Sequence, residues 1–454
     1  MNALTINEKI CIERELNVTN QIHHFEELLT CFDIKETCKW IEDNKFLKVC
    51  LQFPDDLLYT STKIYDEIKK RIDVDLHILG DTSYASCCVD SVAAMHVQAD
   101  AVIHYGRSCF TKTNMPVFTV LPKQQIDVET TMMTLHSHFN RDDKICLFYD
   151  AEFEHCKDKL AQGFHKYYPG GYIAYLEIED KPNKMYARVV KDKNGVELPM
   201  ETLKDCNCVY LGSRGQTLFN YSISIEAKNW YLFDPHTNSV ENIDETAWLR
   251  RRRFLIEKCK DAKVVGILVC KLGDQTNDII NRMRQLCKVN GKRGQIVHVG
   301  KPNDAKLANF HDINIYVMIA CPENDLYSNR DFYKPIVYPY ELDVALNSNR
   351  EPYFKNHVTD YVELLQGGRS YCDIEQTQET DVSLITGRIR VSKIAADIGV
   401  GTDLELKQNW ALESIGQSLQ DRSWKGLEQK LGNTEVKKVE EGRKGIPMQY
   451  DNEI

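Results

Sequence analysis

Short apolar runs alternate with amphipathic stretches along most of the chain, in three sets. The first set is FLKVCLQF (46–53), DLHILG (75–80), ADAVIHYG (99–106) and PVFTVL (116–121). Helical patterns lie between them at 56–72 (DLLYTSTKIYDEIKKRI) and 88–99 (CVDSVAAMHVQA). The second set is KICLFY (144–149), GYIAYLEI (171–178), CVYLG (208–212) and WYLFD (230–234). The third is KVVGILVC (263–270), QIVHVG (295–300), INIYVMIA (313–320) and PIVYPYEL (335–342). In the second and third sets a long amphipathic helix is predicted after the opening strand, at 152–168 and 274–290. Continuous apolar runs of this length, separated by helices, predict parallel sheets covered on both faces. The opening runs begin at 46, 144 and 263, a period too long for a solenoid repeat.

The expected fold class is therefore α/β, with three related domains, each a small parallel-sheet α/β unit, and a C-terminal extension. The expected divisions are an N-terminal extension at 1–40, domains at 41–140, 141–258 and 259–350, and a partly ordered extension at 351–454. From about Gly367 the chain turns polar (DIEQTQETD, 373–381), then carries an amphipathic stretch at 404–420 and a charged end with Gly and Pro breakers.

Composition narrows the function. The 454 residues hold 57 basic and 67 acidic side chains, a net charge of −10, which gives no reason to expect nucleic-acid contact. Hydrophobic residues at 43% can fill cores, and charged residues at 27% fit an ordinary globular protein. No apolar run reaches the roughly 18 residues of a membrane helix, so no membrane association is expected. The N-terminus has early acidic residues and no apolar h-region, so a reducing, cytoplasmic setting is expected. The 16 cysteines are then free thiols or metal ligands rather than a disulfide framework. Cys50, Cys146, Cys208 and Cys270 fall inside apolar runs and read as small buried residues.

Open parallel sheets place ligands beyond the carboxyl ends of their strands. There the first unit carries Cys87 and Cys88 (GDTSYASCCVD) after its second strand and Cys109 (HYGRSCF) after its third. The third unit carries Cys321 (IACPEN) after its third strand. The second unit offers Gly212 and Ser213 (LGSRGQ) at the matching point and no thiol. One helix and one strand separate Cys87 from Cys109, so the crossover returns both to one edge of one sheet. If the domains face one another around a pseudo-threefold centre, Cys87, Cys109 and Cys321 converge. Cys88, next in sequence to Cys87, is set aside as the doubtful ligand. Three thiolates suit a [4Fe–4S] cluster with one open iron, or zinc with a water or distant fourth ligand; spacing alone decides neither.

Other signals are weaker. His104 lies within a strand and reads as a packed histidine. Arg250 to Arg253 would wrap around all faces of a helix, so most of the run should be solvated or paired with the acidic surface, with an anion-facing arginine left open because a guanidinium binds carboxylates bidentately. GSRGQ lacks both the Walker lysine and the full G-x-G-x-x-G. There is no C-x2-C pair framework, no C-x3-C-x2-C run, no G-x-S-x-G, no H-E-x-x-H and no kinase set.

LGDTSYASCCVD (79–90), QADAVIHYGRSCF (98–110), IACPEN (319–324), PYELDVAL (339–346) and the tail RSWKGLEQKLG…EEGRKGIPMQY together resemble the second-subunit branch of the eukaryotic diphthamide synthase family, from about residue 40 to the end. The resemblance implies three related α/β domains. It implies a share in the first step of diphthamide synthesis, the transfer of a 3-amino-3-carboxypropyl group from S-adenosylmethionine to one histidine of translation elongation factor 2. It implies a [4Fe–4S] cluster on Cys87, Cys109 and Cys321, a heterodimer with diphthamide synthase subunit 1, and a small redox donor protein. In the partner subunit and archaeal relatives each of the three domains gives one cysteine. This chain departs from that, having two thiols in the first unit and none in the second. The departure agrees with a supporting, electron-relay role here and with S-adenosylmethionine bound by the partner subunit, so no catalytic residue is assigned. The alternatives are a self-sufficient S-adenosylmethionine-cleaving transferase and a structural partner with no functional cluster.

Overall fold

The structure, a computed structural model, describes residues 31–390 apart from 81–85, 112, 178–184, 274, 300–301, 325–331, 351–356, 376–380 and 388, together with two short strands near the C-terminus. The stretch at 404–420 lies outside the described residues. Residues 1–397 form one unit and 398–454 another. In the second, Gly445–Ile446 and Gln449–Tyr450 pair antiparallel.

The first sheet is built from β1 (Lys48–Gln52), β2 (Asp75–Leu79), β3 (Ala101–Tyr105) and β4 (Val117–Val120). All its pairings are parallel, in the order β2-β1-β3-β4. Helices α1 (Ile34–Asn44), α2 (Ser61–Lys69) and α3 (Ser91–His96) accompany it.

In the second sheet, β5 (Ile145–Tyr149), β6 (Tyr172–Leu176), β9 (Asn207–Leu211) and β10 (Asn229–Asp234) form a parallel centre in the order β6-β5-β9-β10. Antiparallel strands extend it on both sides: β7 (Arg188–Lys191) and β8 (Glu197–Leu198) beyond β6, and β11 (Ser239–Ile243) beyond β10. Its helices are α4 (Val128–His138), α5 (Lys157–Tyr167) and α6 (Gln216–Ser224).

The third sheet repeats the order as β13-β12-β14-β15, again all parallel, from β12 (Val264–Val269), β13 (Arg293–His298), β14 (Ile315–Ile319) and β15 (Ile336–Val337). Helices α7 (Thr246–Asp261), α8 (Thr276–Val289), α9 (Asp304–Ala308) and α10 (Pro339–Leu346) flank it. In all three units, the first strand lies between the second and third, and the fourth lies outside the third. The chain is thus α/β with three units of one topology, as the apolar runs predict.

The central strands explain those runs. β3, β5, β12 and β14 are buried along their whole length, because packing covers both faces of each sheet. Two apolar layers sandwich the second sheet: Leu147, Tyr149 and Phe164 belong to one, Cys146, Phe148 and Trp230 to the other.

Three departures from the sequence pattern have physical causes. The run at 335–342 is strand only at Ile336–Val337, and a helix begins at Pro339. Proline at the first helical position needs no N–H donor. The Glu341 carboxylate also accepts the Tyr338 backbone N–H at 2.8 Å, which caps the new helix. The β7–β8 hairpin, absent from the pattern reading, turns through Asn194-Gly195, with Gly195 at φ +81°. Finally, Arg252 departs from the solvated run around it and takes the anion-facing place. It is 3% exposed and grips the fully buried Glu341 through two nitrogens.

The segment after the third sheet also packs inward. Tyr361, Leu364 and Leu365 join the core around β12 and β14. Buried Arg282 holds the Asp343 carboxylate at 2.7 Å and the Cys372 carbonyl at 2.7 Å.

Candidate metal centre

The loop after β3 begins at Gly106, which adopts φ +97° and would meet the Pro54 ring at 3.0 Å if it carried a Cβ. A left-handed turn this close to another residue requires glycine. The turn leads into Arg107, Ser108 and Cys109. Two residues further on, Thr111 Oγ lies 3.1 Å from Cys109 Sγ.

Cys87 and Cys88 lie in the turn ahead of α3, whose N-terminus is capped by Asp90 (2.9 Å to the Ala93 N–H). Gln52, at the end of β1 and 1% exposed, ties this turn to the sheet. Its amide nitrogen donates to the Cys88 carbonyl at 2.7 Å, and its oxygen accepts the Asp90 N–H at 2.9 Å. The Cys109 N–H donates to the Cys87 carbonyl at 3.0 Å, so the two thiol-bearing loops are joined by backbone. Cys321 leaves the third sheet two residues beyond β14.

These loops meet. The sulfurs of Cys87, Cys88, Cys109 and Cys321 all lie within 4.8 Å of one another. Cys87 and Cys321 are 3.6 Å apart, Cys88 and Cys109 3.7 Å, and Cys87 and Cys88 4.0 Å. The structure thus brings Cys87, Cys109 and Cys321 together, and Cys88 joins them. A tight turn aims both neighbours inward, which adjacency in sequence does not reveal. Cys88 and Cys321 are 1% and 2% exposed, while Cys87 and Cys109 are half-buried.

The thiols share charge. Hydrogen bonds from Cys321, then from Cys87 and Cys88, hold Cys109 well below the usual thiol range. Cys87 and Cys321 are in turn pushed well up, first by their hydrogen bonds to Cys109. One thiolate is therefore stabilised at the expense of its neighbours, and a second needs a positive charge. Lys271, 6% exposed, supplies one. Burial pulls the ammonium down, but the Cys109, Cys88 and Cys321 sulfurs more than offset this, and the net shift is upward.

The second unit contributes no thiol, yet it clamps both outer loops. Arg107, two residues before Cys109, donates to Glu152 at 2.8 and 3.0 Å and to Asp150 at 3.4 Å. Tyr210 fixes Asp150 at 2.9 Å. On the other side, Asn220 of α6 donates to the Pro322 carbonyl at 2.8 Å, and Thr217 donates to Glu323 at 2.8 Å. Burial pushes the Glu323 carboxyl up to about 7, against those hydrogen bonds. The sequence marks none of these residues, because each is an ordinary polar side chain until the fold places it.

The remaining candidates behave as packing. His104 is fully buried, its Nε2 3.0 Å from the Arg107 carbonyl, and burial lowers its pKa. Cys206 and Cys208 are buried in the second unit's core. Arg214, beside Gly212 and Ser213, pairs with Glu241 at the surface. Among the described residues no helix is long and apolar enough to cross a membrane.

Three parallel-sheet units of one topology, with a thiol-only cluster where the loops of the first and third meet, define an α/β protein whose donor set suits a soft metal. Residues 53–355 match the family described as "Putative diphthamide synthesis protein". The chain is 34% identical to 2-(3-amino-3-carboxypropyl)histidine synthase subunit 2 of Danio rerio, over 100% of this chain and 97% of that one. It is 34% identical to the protein of that name from Gallus gallus (93% and 92% covered) and 31% identical to that from Schizosaccharomyces pombe (99% and 96%). The chain therefore belongs to the diphthamide synthesis protein family. Its fold is similar to that of Dph2 from Pyrococcus horikoshii, with a TM-score of 0.56 and 20% identity over 72% of this chain and 93% of that one. The Pyrococcus protein has also been solved with a 4Fe-4S cluster, at the same TM-score.

Proposed function

We propose that this chain is the iron–sulfur accessory subunit of the complex that transfers a 3-amino-3-carboxypropyl group from S-adenosylmethionine to a histidine of elongation factor 2. The convergence of four thiols from two units carries the reading. The donor set fits an iron–sulfur cluster: it is all sulfur, contains no histidine or carboxylate, and sits in a partly water-excluded pocket with a cation beside it. Cys87, Cys109 and Cys321 would hold the group, and Cys88 is a fourth thiol at the same place. When bound, a [4Fe–4S] cluster supplies a one-electron store. The chain's own residues hold that store in place, and subunit 1, with the reacting S-adenosylmethionine, is the partner that draws on it. That the second unit gives no thiol to the cluster supports the accessory role, since that unit's loops are occupied with clamping. A small redox protein is the expected donor and the cytoplasm the expected setting.

Loss of the clamp should loosen the centre without touching a thiol. Asn220→Ala is expected to weaken metal retention by about 10–100-fold, the usual cost of losing an outer partner, read by competition with a chelator. Retention equal to the parent's would remove the clamp from the account.

One measurement of the site favours a second reading. Metal–sulfur bonds of about 2.3 Å around a single tetrahedral ion place sulfurs roughly 3.8 Å apart, close to the spacing here, so zinc is the competing occupant. Metal and sulfide analysis separates the two.

The function is tested by multiple turnover of elongation factor 2 with subunit 1, S-adenosylmethionine and a protein electron donor. Turnover is expected to need this chain and to fall at least tenfold with Cys109→Ser. Full turnover with all four thiols replaced would reduce the chain to a structural partner. Turnover by this chain without subunit 1 would make it a self-sufficient transferase.

A further inference from the structure

Among the described residues, Lys271 differs from the other buried cations in having no carboxylate, carbonyl or hydroxyl within hydrogen-bond distance of its head group. Arg252 is matched by Glu341, Arg282 by Asp343, and Arg188 by the Tyr149 carbonyl at 2.6 Å and the Tyr221 hydroxyl at 3.1 Å. Lys271 is 6% exposed, and among the described residues no carboxylate lies within ion-pair distance of its ammonium. Buried charges are ordinarily paired, because an uncompensated one costs several kcal/mol in a low dielectric.

Register shows what faces it. β12 and β14 run parallel with Val269 opposite Ile319, and the Cys270 N–H donates to the Ile319 carbonyl at 2.9 Å. Two residues past that pair, Lys271 leaves one strand and Cys321 leaves its neighbour. Adjacent strands are about 4.8 Å apart, so the two residues emerge side by side at the carboxyl edge of the sheet. The Lys271 carbonyl accepts the Thr276 hydroxyl at 3.3 Å, which pins the backbone there to the start of α8. The charges nearest the ammonium are led by the Cys109, Cys88 and Cys321 sulfurs, with the Tyr361 hydroxyl and the buried Asp360 carboxyl also within its field.

We propose that Lys271 is a positioning residue that sets the reduction potential of the thiolate-held group, its fixed positive charge beside Cys321 stabilising the more negative, reduced state. This rests on the iron–sulfur reading above. A group held by three or four thiolates gains one negative charge on reduction. In a pocket of low dielectric, a neighbouring cation favours that gain far more than it would in water. Charge and hydrogen bonding near the sulfurs are the protein's levers on cluster potential. The centre then takes an electron from a weaker reductant than the bare thiolate set would require.

The test is a redox titration followed by EPR on the full chain and its Lys271→Met and Lys271→Arg variants, with iron and sulfide counted in each. All three are expected to carry the same iron and sulfide. At the potential that half-reduces the parent, Lys271→Met should show a reduced-to-oxidised ratio at least tenfold lower, about 59 mV for one electron. Lys271→Arg should stay within about twofold of the parent. A fully loaded Met variant that titrates with the parent overturns the proposal, as does an Arg variant that shifts as far as Met. If the Met variant does not fold, Lys271→Gln is read by the same criterion. A parent that takes up no iron and sulfide overturns the reading of the site itself, and this assignment with it.

Discussion

Replacing Cys109 by serine should strip the protein of its metal. Anaerobically reconstituted Cys109→Ser is expected to hold less than a tenth of the parent's iron and sulfide and to lose its brown colour. Cys109 lies at the electrostatic centre of the group: hydrogen bonds from Cys321, Cys87 and Cys88 lower its pKa and favour the thiolate, which is the metal-binding form. Its loop is also fixed from three directions, by the Gly106 turn, the Cys87 carbonyl and the Arg107 clamp on the second unit. A serine hydroxyl in this place is a hard, weakly acidic ligand, and a soft-metal centre does not retain it. Cys31→Ser, at an exposed cysteine apart from the cluster, should leave iron and sulfide unchanged. Equal loading in Cys109→Ser and the parent would show that the ligands lie elsewhere.

The largest effect on stability is expected at Arg252→Met. Arg252 and Glu341 are 3% and 0% exposed in their side chains, and the guanidinium grips the carboxylate at two points. The same guanidinium packs over the rings of Trp248 and Tyr338, 5.3 and 5.2 Å from their centroids. His357, 3.7 Å from Glu341, cannot take its place: burial first, and then Arg252, hold it well below the usual histidine range, so it is neutral. Methionine fills part of the volume but leaves a carboxylate buried without its counter-charge. Removing one partner of such a pair costs about 3–5 kcal/mol, which urea unfolding should register as an earlier transition. The double variant Arg252→Met/Glu341→Leu should recover much of the loss, since it leaves no charge behind. A single variant as stable as the parent would mean that water or another cation reaches Glu341.

How much of this was legible in the chain can be traced residue by residue. The continuous apolar runs that become β1, β3, β5, β12 and β14 are visible because strands covered on both faces have no polar side to interrupt them. β8 and β11 are edge strands with exposed positions, and β7 is a four-residue strand that opens on a buried arginine, so their pattern blends into loop. The run at 335–342 carries strand-like side chains, yet Pro339 and the Glu341 cap make its second half a helix. The meeting of Cys87, Cys109 and Cys321 is legible from the rule that parallel sheets gather their chemistry beyond their carboxyl ends, together with the condition that the domains face one another around a common centre. Cys88 was set aside because sequence neighbours rarely share a site, and only the turn geometry brings it in. The role of the second unit was illegible, because Asn220, Asp150 and Glu152 take on meaning only once the loops that carry Cys321 and Cys109 lie against them. Lys271 was illegible for a related reason: its importance lies in what it faces across the β12–β14 register.

On the reading proposed above, the iron–sulfur centre belongs to this chain and not to its partner alone. The most direct test is EPR after dithionite reduction of the chain purified anaerobically without its partner, with iron, sulfide and zinc counted on the same sample. About four iron and four sulfide per chain and a reduced-cluster signal are expected, consistent with thiolate ligation. One zinc per chain without sulfide, or no bound metal at all, would contradict that reading.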